Sequence, residues 1–171
     1  MIVLETQRLV LRQLETSDLP ALHHILSDPI TMTFWPAPFS LEAARSWIER
    51  QRQSYRDHGF GRYAVISRQD GTLIGDCGII PSTIDGQPEN DLGYIIFHTF
   101  WKRGYGSEAA EACKRDSLER LRLERICANM PADHLASRRV AEKIGMSFER
   151  EFYNARNRNI LTCLYVVEQG R

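Results

Sequence analysis

Apolar residues along the chain switch between a period of two and a period near 3.6, and the switches divide it into a series of elements. Residues 9–14 alternate around Val10, Leu11 and Arg12 and predict a first strand after an exposed start. Leu19, Leu22, Ile25 and Leu26 then recur at helical spacing, with Thr16, Ser17 and Asp18 as caps before them and Asp28-Pro29 as the stop. Residues 30–39 hold Phe34, Trp35, Pro36, Pro38 and Phe39, fit neither period, and predict a loop that covers something. Ser40 opens a second helix through Leu41, Ala44, Ile48 and Tyr55, which His58-Gly59 breaks.

Strands at 63–67 and 72–80 flank Gln69-Asp70-Gly71, where Asp-Gly is a hairpin signal. A further turn at 86–90 leads to a strand at 92–97, completing a meander of three. A glycine-bearing loop at 101–107 then passes into a helix with Ala110, Cys113, Ser117 and Leu121 on one face. Residues 125–130 predict a strand, 135–144 a helix with Ala136, Val140 and Ile144 inward, and 148–153 with 160–168 a final hairpin. This order is that of an α+β fold with a mixed sheet.

At 171 residues the chain has the size of one domain, 1–171, with a single sizeable core. Its 22 basic and 22 acidic side chains cancel, which excludes a global pull toward nucleic acid or an anionic membrane. The longest nearly unbroken apolar run, 160–167, contains Thr162 and falls far short of the roughly 20 residues that span a bilayer. Glu5 interrupts the start and no basic, apolar leader precedes it, so the cytoplasm is the expected compartment. Cys77, Cys113, Cys127 and Cys163 lie far apart, without a C-x-x-C pair or a histidine at ligand spacing. They read as buried free thiols, and no metal is expected.

The most informative stretch is Trp101-Lys102-Arg103-Gly104-Tyr105-Gly106-Ser107. A turn from a strand into a helix leaves several backbone N–H groups without partners and aimed at one point, which suits an anion. Gly104 and Gly106 remove side chains where a phosphate approaches the backbone, while Lys102, Arg103 and the positive end of the helix add charge. The loop lacks the Gly-Lys-Ser/Thr ending of a Walker motif and the third glycine of a dinucleotide fingerprint. A simple turn with solvated basic residues is the alternative for the loop taken alone.

Several motifs in order carry more weight than the loop. Leu4-Glu5-Thr6-Gln7-Arg8-Leu9-Val10-Leu11-Arg12, Leu73-Ile74-Gly75-Asp76, Leu92-Gly93-Tyr94-Ile95, the glycine loop continuing into Glu108-Ala109, and Ser137-Arg138-Arg139-Val140-Ala141-Glu142-Lys143-Ile144-Gly145-Met146 run nearly the whole chain. In this set the sequence resembles the GNAT superfamily of acyl-CoA-dependent N-acetyltransferases, and within it the RimJ/RimL-like branch that acetylates protein N-termini. The resemblance implies a GNAT-like fold, a mixed and mostly antiparallel sheet of about seven strands flanked by about four helices. It implies acetyl-CoA as co-substrate, its pyrophosphate held by backbone N–H groups from Lys102 through Arg103, Gly104, Tyr105 and Gly106 to Ser107. The pantetheine arm would run beside Ile95, Ile96 and Phe97 like an added strand, a bulge there freeing an N–H near Ile95 or Ile96 for the thioester oxygen.

Two positions depart from the family pattern. Ala141 stands where many members carry a tyrosine acid, and His134 stands where the branch carries an asparagine beside the cofactor. Ser137 matches the branch's serine, as a proton donor to the departing thiolate or as a helix cap. For removing the amine proton, Asp76, Glu89, Asp91 and Glu149 all stand near strands that border the acceptor cleft, and the sequence does not choose among them. Trp35, Asp76 and Tyr94 are the expected acceptor-side residues, with core packing as the alternative for the two aromatics. The resemblance implies a protein or peptide α-amine as acceptor; a small amine acceptor, a non-catalytic acyl-CoA-binding module and a nucleotide-phosphate binder are the rival readings. A homodimer fits the branch.

Overall fold

The computed structural model describes residues 1–170. Eight strands form one sheet: β1 (Ile2–Glu5), β2 (Leu9–Gln13), β3 (Arg62–Ser67), β4 (Leu73–Ile84), β5 (Gln87–Ile96), β6 (Arg125–Pro131), β7 (Ser147–Asn154) and β8 (Ile160–Glu168). Their order is β1-β2-β3-β4-β5-β6-β8-β7, and every neighbouring pair is antiparallel except β5 with β6, which is parallel. Four α-helices complete the fold, α1 (Leu19–Leu26), α2 (Leu41–His58), α3 (Tyr105–Glu119) and α4 (Leu135–Lys143). The α+β reading with a mixed sheet therefore holds, with eight strands in place of about seven.

The extra strand is β1, four residues at the sheet edge, too short and too exposed for its alternation to register as a strand in the sequence. The second difference lies at 81–90. That segment is the end of a long hairpin, turned by Asp85 and Gly86 at φ 48° and 77°, a left-handed pair that matches the twist of the flanking strands. Pro81 and Pro88 give it the look of a loop. In the ladder, Phe97 N–H donates to Ile74 O at 2.8 Å, so with the constant register of β4 on β5 the hydrogen-bonded pairs are 74/97, 76/95, 78/93 and onward in steps of two. Pro81, opposite Asn90, and Pro88, opposite Thr83, fall between those pairs and remove no rung.

Pleating sends neighbouring residues to opposite faces, and each face has its own core. Val65 and Ile96 pack with Leu9, Leu11 and the small residues Ala109, Ala110 and Cys113 of α3, together with Ala141 and Ile144 of the α4 segment. Ala64 and Ile95 pack on the other face with Leu22, Ile25 and Leu26 of α1 and Ala44, Trp47 and Ile48 of α2. Helix boundaries follow local chemistry. Ser40 Oγ accepts from Ala43 N–H at 3.1 Å to cap α2, and Gly59 closes that helix in the left-handed conformation. All four cysteines are free and buried.

One ion pair is buried within the second face. Asp76 is fully buried; its Oδ1 accepts from Arg62 Nε at 3.1 Å and Nη2 at 2.6 Å, and its Oδ2 accepts from Trp47 Nε1 at 2.7 Å. Removing one member of a buried pair strands the other charge, at a cost of about 3–5 kcal/mol. Asp76→Ala is therefore expected to lower stability by that amount in urea unfolding, with Asp76→Asn milder because the amide oxygen still accepts.

Candidate active site

The site grows from the way β5 treats its two edges. Toward β4 it is paired along its whole length, without a register shift. Toward β6 a single registered pair, Asp91 with Cys127, joins the strands. Side chains reinforce the closed end, where Asn90 Nδ2 donates to Arg125 O and Asn129 Nδ2 to Asp91 Oδ1, both at 3.1 Å. Beyond that point a cavity of about 560 Å³ opens between the strands.

Because hydrogen-bonded pairs with β4 fall at Phe97, Ile95 and Gly93, the backbone groups of Leu92, Tyr94 and Ile96 point to the opening. The N–H expected from a bulge is thus presented by plain alternation, and no bulge interrupts β4 on β5. Of the two residues expected to offer it, Ile96 faces the opening, whereas Ile95 spends its backbone on β4 and its side chain on the α1–α2 core. Phe97 is not brought to the opening. Its N–H is held by Ile74, its carbonyl accepts from Phe100 N–H at 2.9 Å, and its ring packs edge-on to His24. Trp101 Nε1 donates to Ile96 O at 2.7 Å and fixes the point where the chain leaves β5 for the glycine loop.

In that loop Lys102 and Gly104 adopt left-handed backbone at φ 62° and 80°, and α3 starts at Tyr105. This curls residues 103–107 so that the first N–H groups of α3, which have no partner inside the helix, face outward. Arg103, Gly104, Ser107 and Lys143 line a groove there with Arg8 and Glu108. The acids of the groove are neutralised. Glu108 accepts from Arg8 Nε at 2.7 Å, Arg8 N–H at 2.9 Å and Thr6 Oγ1 at 2.6 Å, and these contacts hold its pKa below the usual range. Glu111 pairs with Lys114 at 2.8 Å. Lys102, Arg103 and Lys143 have no carboxylate within ion-pair distance among the described residues, so the groove favours an anion. Arg8 also donates to Arg103 O at 2.8 Å and lies 4.4 Å over the Tyr105 ring, tying the first sequence motif to the loop. Tyr105 is thereby engaged with Arg8 and Phe100, and its ring is a wall of the loop's own packing.

Trp35, Tyr94, His134 and Ser137 all line the cavity. Ser137 does not cap α4; its Oγ donates to Tyr94 Oη at 3.1 Å, and Tyr94 Oη donates to Ser137 O at 2.8 Å. Burial raises the Tyr94 pKa well above the ordinary phenol value, so the hydroxyl stays protonated. His134 stacks on Phe34 at 3.8 Å, and burial pushes its pKa down to about 4, leaving a neutral ring near pH 7. Trp35 packs edge-on to Trp47 and Phe39 at the same wall. Asn157 Nδ2 donates to Phe34 O at 2.8 Å, so the β7–β8 turn roofs the cavity over the 30–39 loop.

Asp76 corrects the expectation set for it. It faces the α1–α2 core, is saturated by Arg62 and Trp47, and does not line the cavity. Glu89 and Glu149 both pair with Arg125 at 2.9 Å. Asp91 is different: it lines the cavity, its side-chain hydrogen bond comes from the neutral amide of Asn129, and burial pushes its pKa up to about 6.

The model of the acetyltransferase (GNAT) domain matches residues 8–147. The chain belongs to the GNAT acetyltransferase family. Among curated relatives, the uncharacterized protein YkkB of Bacillus subtilis is 30% identical over 148 residues, covering 86% of each chain. Among solved structures, a GNAT-family acetyltransferase from Bacillus anthracis superposes with a TM-score of 0.81 at 26% identity, covering all of both chains. RimL, a ribosomal-protein α-N-acetyltransferase solved with coenzyme A, shares the fold at a TM-score of 0.81, 18% identity and 98% coverage of each chain. As a GNAT domain the chain is an acyltransferase, and its glycine loop and open β5 edge fit a ligand with an anionic head and an amide-bearing arm. A Cβ at Gly104 would combine left-handed backbone with contact on Arg8 at 3.4 Å. Gly104→Val is expected to abolish stabilisation by acetyl-CoA while the far-UV circular dichroism stays native.

Proposed function

We propose that this enzyme transfers the acetyl group of acetyl-CoA to a primary amine, with the α-amino group of a protein or peptide as the acceptor. The observation that carries the reading is the release of β5 from β6 beside an anion-binding helix start, which leaves the backbone groups of Tyr94, on the cavity wall, and of Ile96 turned away from β4 toward the open edge. Acetyl-CoA supplies an activated thioester carbonyl. The chain supplies a donor for the oxygen that becomes negative, from Ile96 with Tyr94 two residues away, in a walled site where such a bond strengthens as charge develops. The Ser137–Tyr94 hydroxyl pair holds a proton beside the same strand and fills the role left open by Ala141, which is fully buried. That pair and Asp91 favour catalysis over a binding-only module. RimL, a ribosomal-protein α-N-acetyltransferase of the same fold, supports the acceptor class.

Asp91 is the base in this reading, taking the amine proton directly or through a water. Its carboxyl is neutral below about pH 6 and charged above, so the base is lost as pH falls through that value. The expected kcat/KM profile has an acidic limb near pH 6 that Asp91→Asn removes. That variant should lower kcat/KM by roughly 10²–10⁴-fold while keeping its affinity for acetyl-CoA. Ser137→Ala should lower kcat more than it changes acetyl-CoA binding.

The reading is tested by thermal unfolding without ligand and with acetyl-CoA, CoA or ATP, followed by a CoA-release assay on peptides and small amines. A midpoint raised by the two CoA species and not by ATP, with CoA released on peptides, is the expected result. Equal shifts with ATP, or binding without release on any amine, would contradict it.

A further inference from the structure

The cavity holds a buried charged group whose role the ion pair with Asp76 does not exhaust. Arg62 is 3% exposed, yet it lines the cavity. Two of its nitrogens, Nε and Nη2, are spent on Asp76, and no residue among those described hydrogen-bonds to the third, Nη1. No buried side-chain nitrogen or oxygen lacks a partner among the described residues, so Nη1 belongs to the sliver of Arg62 that stays accessible. The space onto which that sliver opens is the cavity.

Gly93 makes this placement possible. A Cβ on residue 93 would sit 1.5 Å from Nη1 and 2.7 Å from the guanidinium carbon, so the Nη1 end of the guanidinium occupies the space a side chain would take on that face of β5. The charge is already balanced by Asp76, and the Trp47 ring lies 5.6 Å from the guanidinium carbon. Nη1 therefore acts as a fixed hydrogen-bond donor that an uncharged oxygen can meet without adding a second negative charge to the pair. Asp91 stands two residues from Gly93 on the same face of β5, about 7 Å along the backbone, and also lines the cavity. A donor and an acceptor set two residues apart on one strand face of the same cavity suit a molecule whose amine and oxygen are joined through one carbon pair. A peptide N-terminus has this arrangement, its α-nitrogen and its own carbonyl oxygen being about 3 Å apart, so the amine can meet Asp91 while the carbonyl oxygen accepts from Arg62.

We infer that Arg62, seated over Gly93, is an acceptor-binding residue that reads the carbonyl oxygen next to the reacting amine, and so selects α-amino carbonyl compounds over plain alkylamines. This deepens the proposed acyl transfer and rests on it. A simple alkylamine would satisfy Asp91 and leave the Arg62 donor without its oxygen, which is the kind of mismatch that discriminates.

The test compares phenylalanine amide with phenethylamine, which share the amine and the ring and differ in the carbonyl. Turnover is compared as kcat/KM per neutral amine, to remove the difference in amine basicity, and binding to the protein–CoA complex is measured by calorimetry. The expected result is a preference of at least tenfold for the amide in both. Gly93→Ala, whose methyl displaces Nη1, should erase the preference while acetyl-CoA still raises the unfolding midpoint; the wild-type comparison decides the matter even if that variant does not fold. Equal kcat/KM and equal affinity for the two amines would overturn the inference and leave the acetyltransferase reading standing. Absence of CoA release with every amine would overturn both.

Discussion

Everything in the site depends on β5 pairing completely with β4 and almost not at all with β6. In a regular sheet the backbone groups of Leu92, Tyr94 and Ile96 would be consumed by the next strand. Here one registered pair at Asp91 closes the base of the opening, and beyond it the backbone groups of Tyr94 and Ile96 are left on an open edge, with Tyr94 on the cavity wall. Unpaired backbone polar groups at the centre of a protein are costly unless something meets them. Trp101 meets the Ile96 carbonyl, and an extended ligand with amides of its own suits the rest. The prolines at 81 and 88 are tolerated for the complementary reason, since both fall where β4 and β5 exchange no bonds.

The two ends of the site are stabilised by different electrostatic devices. At the glycine loop the acids are neutralised in place, with Arg8 reaching from the first motif to Glu108 and to Arg103 O, so that motifs a hundred residues apart in the chain become one structure. At the acceptor side a buried ion pair, Arg62 with Asp76, anchors a cation beneath the sheet face while Trp47 completes the carboxylate's hydrogen bonds. The exposed Arg8 contact contributes modestly to stability, and its value is in fixing the loop's shape. The buried pair matters through what its removal would leave behind.

Most of the fold was legible in the sequence because each switch in hydrophobic period falls within a few residues of a real boundary. Residues 81–90 were not, because Pro81, Asp85, Gly86, Pro88 and Asn90 have turn composition and only the ladder shows which side their missing donors face. The glycine loop, Tyr94 and Ser137 were legible from ordered motifs, His134 from its place before the last of them and Trp35 from its proline-rich loop, and the structure brings Tyr94, Ser137, His134 and Trp35 to one cavity. Asp76 was misplaced by a question of face: it pairs with Ala64 and Ile95, both on the α1–α2 side, and period-two reasoning has no phase reference until a neighbour is known. The choice of Asp91 over Glu89 and Glu149 depends on Arg125, remote in sequence from all three. Arg62 gave no sequence signal at all, since its placement depends on a missing Cβ two strands away at Gly93.

The central claim is that the open edge of β5 and the start of α3 together form the acetyl-CoA site. Amide hydrogen exchange with and without CoA reads those backbone groups one by one. The account predicts new protection at Tyr94, Ile96 and the amides of residues 103–107, with little change along β7 and β8. Protection confined to the glycine loop, or the same pattern produced by ATP, would contradict it.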